Sequence, residues 1–171
     1  MVSIKEEQLV SHGFGPVYDA RSRILILGSF PSVKSREQQF YYGHPQNRFW
    51  KVLASLFHEE IPSDNKGKKD FLLAHHIALW DVIHSCKITG SSDASIKDVT
   101  ANDLKAILDK AAIQKIYVNG KTAEKLYRKY IEHELHRDCV CLPSTSPANA
   151  VYSLERLLSE WKKIKEALEV L

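Results

Sequence analysis

The chain has 171 residues, 44% apolar and 26% charged, which is the size and make-up of one globular domain with a single core. It lacks the roughly 18 uninterrupted apolar residues of a membrane-spanning helix, and its opening, MVSIKEEQLV, lacks the basic flank and apolar stretch of a secretory leader. A net charge of +3 permits a nucleic-acid partner without requiring one, and three cysteines without CxxC spacing exclude a disulfide framework, a structural zinc site and an iron–sulfur cluster within one chain. The expectation is a cytoplasmic protein, or a nuclear one in a eukaryote, that does not engage a membrane.

In chain order, a short apolar run at residues 24–27 predicts the first strand. A long loop crowded with polar, aromatic and turn residues follows over 28–50, and an apolar helix spans 49–57. The basic cluster KGKK at 66–69 reads as a solvated loop leading to a helix over 69–75. Residues 77–80 form the second strand, ending on Asp81. A helix over 102–111 begins with Asn102, a good N-cap. The third strand, 115–118, ends at Asn119-Gly120, and a helix runs over 122–135. The fourth strand, 139–142, places Cys139 and Cys141 on one face, where free thiols pack as small hydrophobes. In the last helix, 153–168, Leu154, Leu157, Leu158, Trp161, Ile164 and Leu168 make one apolar stripe. Each strand is short and apolar without alternation, as in a parallel sheet covered on both faces. Strands alternating with helices predict a three-layer α/β/α sandwich around a central four-stranded parallel sheet, as one domain over 1–171.

In such a sheet the carboxyl ends of the strands share one edge, where ligands bind. Every end here leads into polar or turn residues: GSFPS at 28–32, then Asp81, then Asn119, then STSPAN at 144–149. Gly28 permits close backbone approach, Pro31 fixes the turn, and Ser29 and Ser32 hydrogen-bond locally or to a ligand. No GxGxxG or Walker loop is present, so nucleotide cofactors have no support. Of Phe40, Tyr41 and Tyr42, at least two anchor the loop in the core, and Tyr42 is the one expected to stack on a planar base. His44 reads as a general acid/base or a phosphate contact. Asn47 is either a helix cap or a functional amide, with Arg48 in a surface ion pair and Phe49 and Trp50 packed. Asp81 orients water, reads a base edge or caps a turn. His75 and His76, adjacent on a helix, diverge and make no metal site. The three hydroxyls of Ser144, Thr145 and Ser146, with Pro147 and Asn149, suit phosphate or sugar contacts, or else Asn149 caps the last helix. No GxSxG elbow supports a serine nucleophile.

The order strand, GSFPS, long loop, HPQNRFWKVL and finally STSPAN resembles the uracil-DNA glycosylase superfamily over about residues 24–149. HPQNRFW is similar to the mismatch-specific uracil/thymine glycosylases. Together with YYG before it and ALWDVIHSC after it, it is most similar to the hypoxanthine-DNA glycosylase branch. The resemblance implies a base flipped into a pocket at the strand ends, where water attacks a sugar of oxocarbenium character and the departing base's charge is stabilised. It assigns Gly28, Ser29, Phe30, Pro31, Ser32, Tyr42 and Asn119 to the base pocket, and Ser144, Ser146, Pro147 and Asn149 to DNA contact. The superfamily's first motif has an Asp or Asn for water where this chain has Phe30, and its second motif opens with His or Asn where this chain has Ser144. The branch uses an Asn in the following loop; Asn47 matches it, with His44 and Asp81 as alternatives. Ala148 sits at the wedge position and is small. The expected protein is a monomeric glycosylase without metal or cofactor, acting on DNA with deaminated bases. No lysine in the motifs would form a Schiff base, so it would be monofunctional. A uracil or mismatch glycosylase, a non-catalytic nucleic-acid-binding module and a small-molecule α/β enzyme are the alternatives.

Overall fold

A computed structural model describes residues 6–90 and 92–171. In chain order its elements are β1 (Glu7–Ser11), β2 (Ile24–Gly28), α1 (Val33–Gln38), α2 (Phe49–Leu56), α3 (Asn65–Ala74), β3 (Ile77–Asp81), β4 (Ile83–Thr89), β5 (Lys97–Ala101), α4 (Lys105–Lys110), β6 (Lys115–Asn119), α5 (Lys121–Tyr130), α6 (Glu132–Leu135), β7 (Val140–Leu142) and α7 (Leu154–Val170). Four strands make a parallel sheet in the order β3-β2-β6-β7.

β2 is buried at every position, because its alternate residues feed two cores. Ile24 and Ile26 meet Phe49, Leu53, Leu72, Trp161 and Ile164 from α2, α3 and α7. Leu25 and Leu27 meet Ile107, Ala123 and Tyr127 from α4 and α5. Burying each such side chain is worth about 1.5–3 kcal/mol, more than the ~1 kcal/mol span of strand propensities. Two-sided burial therefore decides this strand, and the three layers are those expected. The chain passes from β2 outward to β3, then crosses back to β6 on the other side, so the strand order reverses at β2 and β6. A crevice opens at the carboxyl ends of such a pair.

A second, antiparallel sheet, β1-β4-β5, was not expected. Val82 donates to the Gly28 carbonyl (2.8 Å) and Ile83 to that of Ser29 (3.1 Å), which carries the chain from β3 directly into β4. β4 buries Ile83, Cys86 and Ile88, a spacing broken by irregular pairing with β5 between Ile83 and Lys87. Bulges of this kind erase the period of two that reveals a half-buried strand. β1 carries Leu9 72% exposed and so lacks an apolar face to read.

Other boundaries differ for local reasons. α1 interrupts the expected loop; the Ser32 hydroxyl caps it by accepting from the Ser35 amide (3.1 Å). The KGKK cluster belongs to the first turns of α3, which Asp64 caps by accepting from Gly67 (2.7 Å). Asn102 does not cap α4. Its amide donates to the carbonyls of Asp81 (2.8 Å) and Ile83 (3.1 Å), pinning β5 to the β3–β4 junction. The helix expected over 122–135 breaks at Ile131 into α5 and α6, where a non-helical backbone keeps that side chain buried. Ser153, not Asn149, caps α7 by accepting from Arg156 (3.2 Å). Cys139 and Cys141 pack against the second core, and burial pushes the Cys139 thiol up to about 11. Among the described residues no helix is long and apolar enough to cross a membrane.

Candidate active site

The four strand ends enclose a cavity of about 500 Å³. Its lining includes Gly28, Ser29, Phe30, Pro31 and Ser32 after β2, Tyr42, His44 and Asn47 from the next loop, Asp81 after β3, Asn119 after β6, and Ser144, Thr145, Ser146, Pro147 and Ala148 after β7. Of the residues assigned above to the base pocket, the chemistry or DNA contact, Asn149 alone stands outside this lining.

One wall is organised by Asn47. Its side-chain oxygen accepts from the Phe49 amide (2.9 Å), which starts α2, and from the Thr145 hydroxyl (2.9 Å). Arg48, not Asn47, is the N-cap of α2 and has no side-chain cap bond; Asn47, one residue earlier, lines the cavity. Two donors on one oxygen also fix the amide's orientation, because a flipped NH2 would face both of them. Nδ2 is left without a protein partner among the described residues, on a side chain that lines the cavity. Thr145, fully buried, passes the constraint on: its hydroxyl accepts from Asn119 Nδ2 (3.0 Å), and its amide donates to Asn119 Oδ1 (3.0 Å). Asn119 thus uses both ends of its amide on the neighbouring loop.

Arg48 makes no surface ion pair. Its guanidinium donates to the carbonyls of Ser146 (3.2 Å), Asn149 (3.1 Å) and Tyr152, and its backbone amide to that of Thr145 (3.0 Å). HPQNRFW and STSPAN are in this way one structural unit. Asn149 works inside it, donating from its side chain to the Ser144 carbonyl (3.0 Å). The Ser144 hydroxyl accepts from the Ser146 amide (3.1 Å), and the Ser146 hydroxyl from Ala148 (3.2 Å), so both keep a proton to donate. At Gly120, with φ +94°, a Cβ would stand 2.9 Å from that of Ser144; glycine brings β6 and this loop together.

The opposite wall is organised by Asp81. Its Oδ2 lies 2.7 Å from His12 Nε2, with the two side chains 5% and 2% exposed. His12 follows β1, and its amide extends the ladder to β4 by donating to the His84 carbonyl (2.7 Å). Its ring packs among Phe14 (4.4 Å), Tyr41 (5.9 Å) and Phe30 (6.2 Å), and Nδ1 has no partner among the described residues. That setting suits the tautomer with hydrogen on Nε2, donated to Asp81, since a bare lone pair among rings costs less than an unpaired N–H. Gly28 is paired in register with Asp81, and a Cβ there would meet Asp81 Oδ1 at 2.4 Å and the Tyr42 hydroxyl at 2.9 Å. This close approach requires glycine.

Tyr42 adopts a left-handed backbone (φ 51°), a strain of order 1–3 kcal/mol for a bulky residue, and stacks on Phe49 with centroids 4.1 Å apart. Its hydroxyl is buried without a hydrogen-bond partner among the described residues; burial, and after it the Asp81 charge, hold it protonated well above the usual phenol range. Phe40 and Tyr41 are core anchors, as expected, and Tyr41 donates to the Gly15 carbonyl (2.7 Å). Phe30 lies under Arg36 (5.4 Å) and against the core of the antiparallel sheet. His44 accepts the Gln46 amide on Nδ1 (3.1 Å), which leaves its Nε2 hydrogen free for the cavity. Ser29 donates to Asp93 (3.3 Å) at the rim. Sequence reasoning missed His12 and Asp93, whose partners lie 69 and 64 residues away. Thr145 stood out there only as one of three hydroxyls suited to phosphate or sugar contact, whereas it is fully buried and links Asn47 to Asn119.

A parallel α/β/α sheet with a cavity of about 500 Å³ at its carboxyl edge, lined by both apolar and polar side chains, is the build of an enzyme that takes a small ligand there. Residues 15–170 match the uracil DNA glycosylase superfamily, and the chain belongs to it. A hypoxanthine DNA glycosylase of Methanosarcina acetivorans is 35% identical over 158 residues, covering 91% of this chain and 98% of its own. One from Methanosarcina barkeri is 40% identical over 111 residues, covering 64% and 70%. The solution NMR structure of a candidate uracil DNA glycosylase from M. acetivorans superposes with a TM-score of 0.80 at 33% identity, covering 95% of this chain and 99% of that one.

Proposed function

We propose that this protein is a monofunctional DNA glycosylase that flips hypoxanthine out of deoxyinosine-containing DNA and hydrolyses its glycosidic bond, leaving an abasic site. The curated relatives support the choice of base. The observation that carries the chemistry is Asn47, whose oxygen is saturated by Phe49 and Thr145 while its N–H groups stay free at the cavity. Such an amide donates and does not accept. Donation to a water oxygen occupies one lone pair and leaves the other to attack C1′. An oxocarbenium-like centre needs a placed nucleophile more than a strongly activated one, so positioning supplies much of the effect. The C1′–N9 bond breaks as the water oxygen bonds to C1′, and the proton released from that water ends on the departing base.

The remaining roles follow from what each group has free. Tyr42, with one ring face against Phe49, offers the other to the base. Ser144 and Ser146 keep hydroxyl protons for DNA phosphates, on a loop that Arg48 holds rigid. His44 has its Nε2 hydrogen for the base or a phosphate. Incubation with duplexes carrying one deoxyinosine, deoxyuridine or deoxyxanthosine, followed by alkali, tests the reading. Strand scission at inosine is expected; duplex binding with no scission at any of the three would overturn it.

A further inference from the structure

We propose that Asp93 is the acid of the reaction, giving a proton to N7 of hypoxanthine as the glycosidic bond breaks. The inference rests on the glycosylase reading and adds to it the group that lets the base leave neutral. The cavity's charges create the need for one. The base departs with the C1′–N9 electron pair, yet Lys34 is the one lysine or arginine in the lining, and its Nζ pairs with Glu37 at 3.6 Å. Asp81 adds a carboxylate to the same walls. A departing anion would meet negative charge without a free cation, which favours departure as a neutral base. N7 is the most basic nitrogen of an N9-substituted hypoxanthine, so it is the atom that takes the proton.

Asp93 lines the cavity from a short 3₁₀ turn (Asp93–Ser95) between β4 and β5. That turn is pinned on several sides. Ser95 Oγ accepts from the Thr89 amide (2.8 Å) and donates to the Ser92 carbonyl (2.7 Å), and Arg36 donates to the Gly90 carbonyl (3.3 Å). Ser29, after β2, donates to Asp93 Oδ1 (3.3 Å), and Thr122, in the first turn of α5, bonds to the same carboxyl. With Ser29 on Oδ1, the acid form carries its hydrogen on Oδ2. The cations nearby are engaged elsewhere: Arg36 on α1 lies over Phe30 (5.4 Å), Lys87 on β4 pairs with Asp98 (3.2 Å) and Lys97 on β5 with Glu7 (2.6 Å), while the Lys121 charge on α5 bears on Cys141. The charge that bears on Asp93 is Asp81, after β3. Desolvation raises the Asp93 pKa, the Ser29 and Thr122 hydrogen bonds oppose it, and the Asp81 charge raises it further. As C1′–N9 breaks, its electron pair stays on the base and the Asp93 proton bonds to N7. The water oxygen held by Asn47 bonds to C1′, and the proton it loses returns to Asp93 through solvent, so the net transfer is from water to base.

The test is single-turnover release of hypoxanthine from a deoxyinosine duplex, with enzyme in saturating excess, followed across pH. Wild type is expected to slow about tenfold per pH unit above the Asp93 pKa, which lies above the ordinary value of ~3.9. Asp93→Asn keeps the shape and the acceptor for Ser29 but has no acid proton. It is expected to lose that slope and to release base about 10²-fold more slowly than wild type at the acidic end. Asp93→Glu, still an acid, regains the slope. The slope compares rates within one preparation, so a lower folded fraction does not create it or remove it. Ser29→Ala deletes a donor that favours the carboxylate, and the midpoint of the fall therefore moves to higher pH, a shift that a merely structural Asp93 would not produce. A wild-type rate flat across pH, a slope retained by Asp93→Asn, or a midpoint that Ser29→Ala leaves in place or lowers overturns the Asp93 assignment. If wild type releases hypoxanthine in those cases, the glycosylase reading stands; if it releases no base at any pH, that reading fails first.

Discussion

Asn47 and Asp81 face the same cavity but are held in different ways. Asn47 is fixed by neutral hydrogen bonds shared between two loops at the end of the parallel sheet, running from Asn119 through Thr145. Asp81 is fixed by a single buried contact with a histidine supplied by the antiparallel sheet. The first wall is built from segments that the parallel fold already brings together. The second needs β1 and β4 to deliver His12 to the edge of β3. The smaller sheet is thus part of the site, since without it a carboxylate would stand buried and unpaired beside Gly28.

Four substitutions sharpen or break this contrast. Asn47→Ala should slow single-turnover base release by about 10²–10³-fold, or ~2.7–4 kcal/mol of barrier, as loss of one placed donor typically does. Oligonucleotide affinity, measured by anisotropy, should change by only a few-fold. His12→Leu should lower unfolding stability in urea by about 1.5–3 kcal/mol, because it leaves a buried carboxylate without its hydrogen-bond donor. Thr145→Val should cost about 1–3 kcal/mol of stability by orphaning buried groups on Asn119 and Asn47. With Asn47 loosened, kcat should fall while KM holds. Ser153→Ala touches neither wall, so it should cost about 1 kcal/mol in the same urea titration and leave release per folded molecule unchanged. If Ser153→Ala slowed release as much as Thr145→Val, the Thr145 relay would lose its special standing.

The parallel sheet was readable because β2, β3 and β6 are buried along most of their length, and the apolar runs at 24–27 and 77–80 fall within one residue of β2 and β3. The Asn47 wall was readable because its residues crowd into two short segments, HPQNRFW and STSPAN. Arg48 was misread because a guanidinium bonded to carbonyls leaves no charged partner in the sequence. The Asp81 wall was half readable. A carboxylate at a strand end stood out, but its histidine is distant in sequence and lies next to a strand with an exposed Leu9 and no apolar rhythm. β4 was hidden by its bulges for the same reason: the periodicity existed in space, not along the chain.

The most direct test of the central claim, that Asn47 acts by donating, is single-turnover release of hypoxanthine from a deoxyinosine duplex by Asn47→Asp. Aspartate keeps the oxygen that starts α2 and accepts from Thr145, and replaces the N–H groups with a second, charged acceptor oxygen. The account predicts a rate as low as that of Asn47→Ala, in a protein as stable as wild type. A rate within a few-fold of wild type would mean that position 47 works as an acceptor, and would contradict it.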